Sequence, residues 1–132
     1  MLQHPEIRAI IAISLGAIAG ALARYYLTLF FQHILGDNFP SGTFFINVTG
    51  CLLIGFFATI SSQPINNISP EMRLLFQTGF LGAYTTFSTY SLETLNLIRT
   101  EKYVLATLYG AGSAIIGIIF VQLGVLIGKN IS

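Results

Sequence analysis

The stretch that decides the fold is GFLGAYTTFSTYS, residues 79–91. Two glycines, which loosen a helix, are followed directly by hydroxyl groups and aromatic rings inside the third of four long apolar stretches. At membrane depth, the backbone leaves helical geometry only where protein or a wet cavity satisfies its polar groups. The segment is therefore predicted to line a site or a pore rather than to face lipid.

The composition is that of an integral membrane protein in contact with lipid. Of 132 residues, 54% are hydrophobic and only 8% are charged, whereas soluble domains average about 25% charged residues. The net charge of +1 gives no reason to expect a nucleic-acid partner. No nucleophile–base pair and no metal-ligand spacing is recognisable in the sequence, so enzyme activity is not expected.

Four stretches reach the length of about 20 mostly apolar residues that a spanning helix needs. They cover about residues 9–31, 43–62, 71–98 and 103–128, and short connections separate them. The chain is therefore predicted to be an all-α membrane protein. We expect a single domain of four transmembrane helices over residues 1–132, with the third helix broken.

The positive charges do not favour one orientation in the membrane. An even number of spans places Arg8, Arg73 and Lys129 on one side. The other side carries Arg24, Arg99 and Lys102. Since the imbalance of Lys and Arg sets orientation, the chain either inserts both ways and pairs as an antiparallel dimer, or follows a weak bias into one orientation.

Glycines recur at spacings that favour close helix contacts. Gly16 and Gly20 form a G-x-x-x-G pattern in the first span. In the fourth span, glycines recur at Gly110, Gly117, Gly124 and Gly128. Small residues at such spacings let helix backbones approach one another. Four short helices enclose little volume, so a wide pathway would need a second subunit.

Ionisable groups at membrane depth are nearly absent, and the polar groups there are neutral donors. Arg24 and Glu93 lie towards the ends of spans, where each can reach an interface, bond a backbone group or pair with the other. Asn47 cannot satisfy its amide within its own helix, so it needs a partner on another helix or a permeant species. An uncharged path rich in donors suits a small anion. The ring edges of Phe87 and Tyr90, three residues apart, could face the anion or simply pack in a core.

Three motifs make the chain resemble the Fluc/CrcB family of fluoride channels over essentially its whole length. They are GAIAGALARY at residues 16–25, GTFFINVTGC at 42–51, and GFLGAYTTFST at 79–89. The third is similar to the signature G-F-x-G-x-x-T-T-F-S-T, and Glu93 follows where that family has a glutamate. The order of all three motifs in a chain of this length carries the resemblance.

The resemblance implies a dual-topology (antiparallel) homodimer in the cell (inner or plasma) membrane, with two passive pores that admit fluoride and exclude chloride. It implies that backbone carbonyls of Gly82 and Thr85 from both subunits hold a structural Na⁺, and that Arg24 lies near a vestibule. Residues implied for the fluoride pore are Asn47, Phe87, Tyr90, Ser88, Thr89, Tyr109 and Ser113. The expected role is relief from fluoride that accumulates in the cytoplasm.

Two positions depart from the family pattern. Tyr90 stands where a second pore-facing phenylalanine is usual, so its hydroxyl is expected either to add a donor or to narrow the path. Ala83 replaces a common glycine and is expected to stiffen the break slightly.

Two other functions stay open at this stage. A coupled exporter of the small multidrug resistance kind has a similar size, but it needs a glutamate in the first span and usually has tryptophans nearby; this chain has neither. A membrane assembly or anchoring subunit would explain the glycines but not Asn47 or the clustered hydroxyls.

Overall fold

The computed structural model describes residues 4–131, and every regular element among them is helical. Helix α1 spans Pro5–Leu35 and α2 spans Ser41–Ser62, followed by a 3₁₀ turn at Pro64–Asn66. Helix α3 covers residues 70–84 and consists of an α-helical start, Pro70–Arg73, a π-helical section, Leu74–Leu81, and a last turn, Gly82–Tyr84. Helix α4 spans Phe87–Arg99 and α5 spans Tyr103–Ile131. The all-helical prediction is confirmed.

Three of these helices, α1, α2 and α5, are long and apolar enough to cross a membrane. Their number makes the chain a multi-pass membrane protein. The third predicted span is divided between α3 and α4, and α4 has only 13 residues, fewer than the roughly 20 that a full crossing needs. The interruption therefore falls within a predicted span, as the sequence indicated.

The break lies at Thr85 and Thr86, just beyond the glycines of the motif. Both residues have extended backbone, with ψ of 159° at Thr85 and φ of −150° at Thr86. The Thr86 hydroxyl accepts a hydrogen bond from Thr89 N and so caps the start of α4, which is the usual way to satisfy the first free N–H groups of a helix. The first motif glycine, Gly79, instead packs on α1.

Glycines bring the helices together in two close pairs. On α1, a Cβ at Gly16 would lie 2.8 Å from Phe80 N of α3, and Gly20 faces the Phe80 backbone in the same way. On α5, Gly124 lies directly against the α2 backbone at Leu52. The predicted close contacts at these glycines are confirmed, and they place α1 beside α3 and α2 beside α5.

Candidate functional site

The Asn47 side chain joins α2 to the break. Its Nδ2 donates to the Thr86 carbonyl at 3.0 Å, and its Oδ1 accepts from Thr86 N at 2.8 Å. The Asn47 carboxamide thus makes the hydrogen bonds that backbone groups would make to Thr86 if the helix continued. The sequence left open a protein partner or a permeant species for Asn47, and the structure shows a protein partner, Thr86, in the break between α3 and α4. Because Nδ2 carries two protons, one N–H remains beyond this pair.

At this break, the carbonyl oxygens of Gly82 and Thr85 lack the N–H donors that a continuous helix would supply. In an α-helix each carbonyl accepts from the N–H four residues later, which would be Thr86 N and Thr89 N. Thr86 N instead donates to Asn47, and Thr89 N donates to the Thr86 hydroxyl. Gly82 is exposed, and a Cβ there would meet only Gln77 O, at 3.9 Å. Both residues line one cavity, and two such carbonyl oxygens suit a hard cation, which takes oxygen ligands.

Phe87 and Tyr90 lie on one face of α4, as predicted, with ring centroids 5.6 Å apart. Phe87 is 80% exposed on this chain. The Tyr90 ring packs against Tyr109, with centroids 5.3 Å apart, and its hydroxyl donates to the Gly110 carbonyl of α5. Since a phenol has one proton to donate, this bond uses the further donor that the sequence suggested at Tyr90.

Glu93 is the centre of a network that the sequence did not predict. Thr43 Oγ1 donates to Glu93 Oε1 at 2.8 Å, and Tyr109 Oη donates to Oε2 at 2.6 Å. Tyr109 is only 1% exposed and Thr43 only 3%. Tyr109 was expected in a polar track, and its proton is committed to this carboxylate. One feature of the sequence could have indicated this role for Thr43: it lies one helical turn before Asn47, on the same face of the second span.

The pairing between Arg24 and Glu93 that the sequence left open is not formed. Both oxygens of Glu93 accept from hydroxyl groups, and the ion pair found among residues 4–131 joins Arg8 to Glu71 at 2.9 Å. Arg24 is half-buried on α1. Its assignment to a vestibule stays a prediction.

The remaining predicted hydroxyls differ in how they are bonded. Ser88 Oγ lies 3.4 Å from Thr86 Oγ1, and Thr89 Oγ1 accepts from the same Thr86 hydroxyl at 3.0 Å. Ser113 Oγ on α5 is buried and has no hydrogen-bond partner within residues 4–131. A buried polar atom without a hydrogen bond destabilises a fold, so a hydrogen-bond partner would stabilise the Ser113 hydroxyl.

Two cavities border these groups. One, of ≈ 390 Å³, runs along the break and is lined by Asn47, Gly50, Cys51, Ile54, Gln77, Leu81, Gly82, Thr85, Thr86 and Phe87. The other, of ≈ 320 Å³, opens at one end of the bundle, where its lining includes Thr43, Glu93 and Lys102. Asn47, Phe87 and the two carbonyl residues therefore share one cavity, while Glu93 borders the other.

Comparison with known proteins gives consistent matches along the chain. Residues 11–125 match the family described as CrcB-like protein, Camphor Resistance (CrcB). A protein of Trichormus variabilis named fluoride-specific ion channel FluC is 56% identical over 129 residues, covering 98% of this chain and 94% of the relative. Proteins of the same name from Synechocystis and Synechococcus are 48% and 45% identical, over 96% and 95% of this chain and 97% and 95% of their own lengths.

Proposed function

This chain belongs to the CrcB family, and on that premise we propose that it is a fluoride-specific ion channel that lets the anion leave the cytoplasm passively. Its relatives are named as ion channels, and the chain is not an enzyme. Hydrogen fluoride is a weak acid that enters cells as the neutral molecule and dissociates inside. The trapped anion, driven by the negative interior, then leaves through the channel. This role places the protein in the cell membrane, inner or plasma.

The observation that carries the proposal is the geometry around Asn47. Its second N–H is a neutral donor in the cavity that Phe87 also lines. A neutral donor can replace water around a small anion, and an aromatic ring edge carries the positive part of the ring quadrupole. The predicted pore residues around them are Ser88, Thr89, Tyr90, Tyr109 and Ser113.

A single chain does not enclose this path. Phe87 is 80% exposed and the cavity at the break opens outward. We therefore propose that two copies in opposite orientations form a homodimer in the lipid bilayer, with two pores between them. The equal numbers of positive charges on the two sides support insertion in both orientations.

The Gly82 and Thr85 carbonyls fit a structural Na⁺ held between the two copies. Their helical donors are used elsewhere, and unwound backbone carbonyls coordinate Na⁺ in other membrane proteins. One chain supplies two such oxygens, so the symmetry of a dimer would supply four. Bound there, the ion would offset the negative ends of these carbonyl dipoles near an anion path.

The test is fluoride efflux from liposomes that contain the purified protein and are loaded with potassium fluoride or potassium chloride. Valinomycin is added to remove the K⁺ diffusion block, and each anion is read with its electrode. We expect rapid loss of fluoride without loss of chloride. Absence of fluoride efflux from folded protein would refute the channel.

A matched pair of variants tests the assigned pore. Phe87→Ile should slow fluoride efflux, since it removes an aromatic edge from the cavity at the break. Phe30→Ile changes an aromatic residue on α1 that is 56% exposed and lies outside this cavity, so it should leave efflux unchanged. Equal efflux from the two variants would show that the pore lies elsewhere.

A further inference from the structure

We propose that Asn47 is also a positioning residue for the cation site, because its carboxamide oxygen keeps the Gly82 carbonyl out of the helical ladder. The inference rests on the proposed function, in which Gly82 and Thr85 hold Na⁺. It assigns one side chain to two tasks. Its oxygen maintains the cation ligand, and its nitrogen serves the anion.

The first step of the argument is a competition for one N–H group. Thr86 N is the donor that the Gly82 carbonyl would take if the helix continued. It donates instead to Asn47 Oδ1 at 2.8 Å. Thr86 is 9% exposed, so its N–H needs a protein partner when it leaves the helix. Asn47 supplies that partner, so Thr85 and Thr86 can be extended within the membrane without leaving the Thr86 N–H unbonded.

The second step concerns the reverse bond. Nδ2 of the same side chain donates to the Thr86 carbonyl at 3.0 Å, so both polar groups of the Thr86 backbone are satisfied by one residue. The orientation of the carboxamide is then fixed by two bonds, which also fixes the direction of the second N–H. The anion donor and the free Gly82 carbonyl are consequences of the same arrangement.

Two substitutions separate the tasks. Asn47→Asp keeps an oxygen that can accept from Thr86 N but lacks the amide nitrogen with its two protons. Asn47→Leu removes both, so Thr86 N can return to the Gly82 carbonyl. Thr49→Val is the matched control on α2, because Thr49 bonds to carbonyls of its own helix and to the Tyr84 hydroxyl.

The measurement is thermal stability of each purified full-length protein in detergent as NaCl replaces N-methylglucamine chloride at constant ionic strength. Fluoride efflux is measured on the same preparations. For wild type, Thr49→Val and Asn47→Asp we expect stabilisation at similar Na⁺ concentrations. For Asn47→Leu the Na⁺ concentration needed should rise about 10- to 100-fold, the size typical of losing a residue that orients a metal ligand. Efflux should be lost in both Asn47 variants.

Three results would contradict this pattern. Unchanged Na⁺ dependence in Asn47→Leu would overturn the positioning role. If that variant is not monodisperse, Asn47→Ala makes the same deletion with less bulk. Wild-type protein that conducts fluoride but shows no Na⁺ stabilisation would refute the cation site and this inference while leaving the channel. Na⁺ stabilisation without fluoride efflux would refute the channel alone.

Discussion

Replacing Gly124 with alanine should destabilise the fold by separating α2 from α5. A Cβ at Gly124 would lie 2.7 Å from Phe56 N and closer still to the Leu52 carbonyl oxygen, whereas ordinary contact begins at 3.4 Å. These are backbone atoms in the middle of α2, so no side-chain rotation can relieve the overlap. Gly112 is the matched control on the same helix, since a Cβ there meets nothing within 4 Å.

The magnitude follows from two opposing effects. Alanine in place of glycine within a helix stabilises it by about 1 kcal/mol, and Gly112→Ala should show that gain. Over-packing a close interface costs about 1–3 kcal/mol. For Gly124→Ala, this cost is partly offset by the same gain in helix propensity. The overlap with backbone atoms places this variant at the upper end, so its unfolding free energy should fall by about 2 kcal/mol net.

The assay is unfolding in mixed micelles of increasing SDS content, followed by circular dichroism, with thermal melts as a second readout. Because both variants add the same methyl group to the same helix, the difference between them measures the packing of α5 on α2. That difference should approach about 3 kcal/mol. Equal stability of Gly124→Ala and Gly112→Ala would refute the close α2–α5 contact.

Three further substitutions test single interactions. Tyr109→Phe should lower the unfolding free energy by about 1.5–3 kcal/mol in the same SDS titration, because it removes a hydrogen bond to the Glu93 carboxylate. Tyr90→Phe should cost about 0.5–1.5 kcal/mol by the same measurement, and liposome assays should find fluoride efflux retained, because the lost proton is bonded to the Gly110 carbonyl. Arg8→Gln breaks an ion pair whose arginine side chain is 50% exposed, so thermal melts should change little, by about 1 kcal/mol or less.

Apolar length and glycine spacing predicted the helices and their close contacts, because both are local properties of the sequence. The position of the break needed more. Gly79 and Gly82 indicated flexibility, yet the backbone leaves the helix at Thr85 and Thr86, where Asn47 bonds both the N–H and the carbonyl of Thr86. That partner lies 39 residues away, and no local pattern records the distance between two helices.

Local sequence patterns could not predict the hydrogen-bond partners of Glu93 either. Glu93 and Thr43 are 50 residues apart, and Glu93 and Tyr109 lie on different helices. The sequence showed an isolated carboxylate near the end of a span and left open an interface position, a bond to the backbone or a pair with Arg24. The structure pairs it with two hydroxyls instead, and such a choice depends on helix packing rather than on charge.

Several hydroxyl groups that the sequence suggested as donors to an anion already donate their protons within the chain. Tyr109 and Thr43 donate to Glu93, and Tyr90 donates to Gly110; each of these hydroxyls has one proton. An anion that took one of them would leave a carboxylate or a carbonyl without that donor. The second N–H of Asn47 is not committed in this way, and the buried Ser113 hydroxyl is without a partner among the described residues. The Thr89 hydroxyl accepts from Thr86 and keeps its own proton. A fluoride ion that passes this chain should therefore bind first at Asn47, Thr89 and Ser113, whose donors are unused, and enter the Glu93 network only by displacing an existing bond.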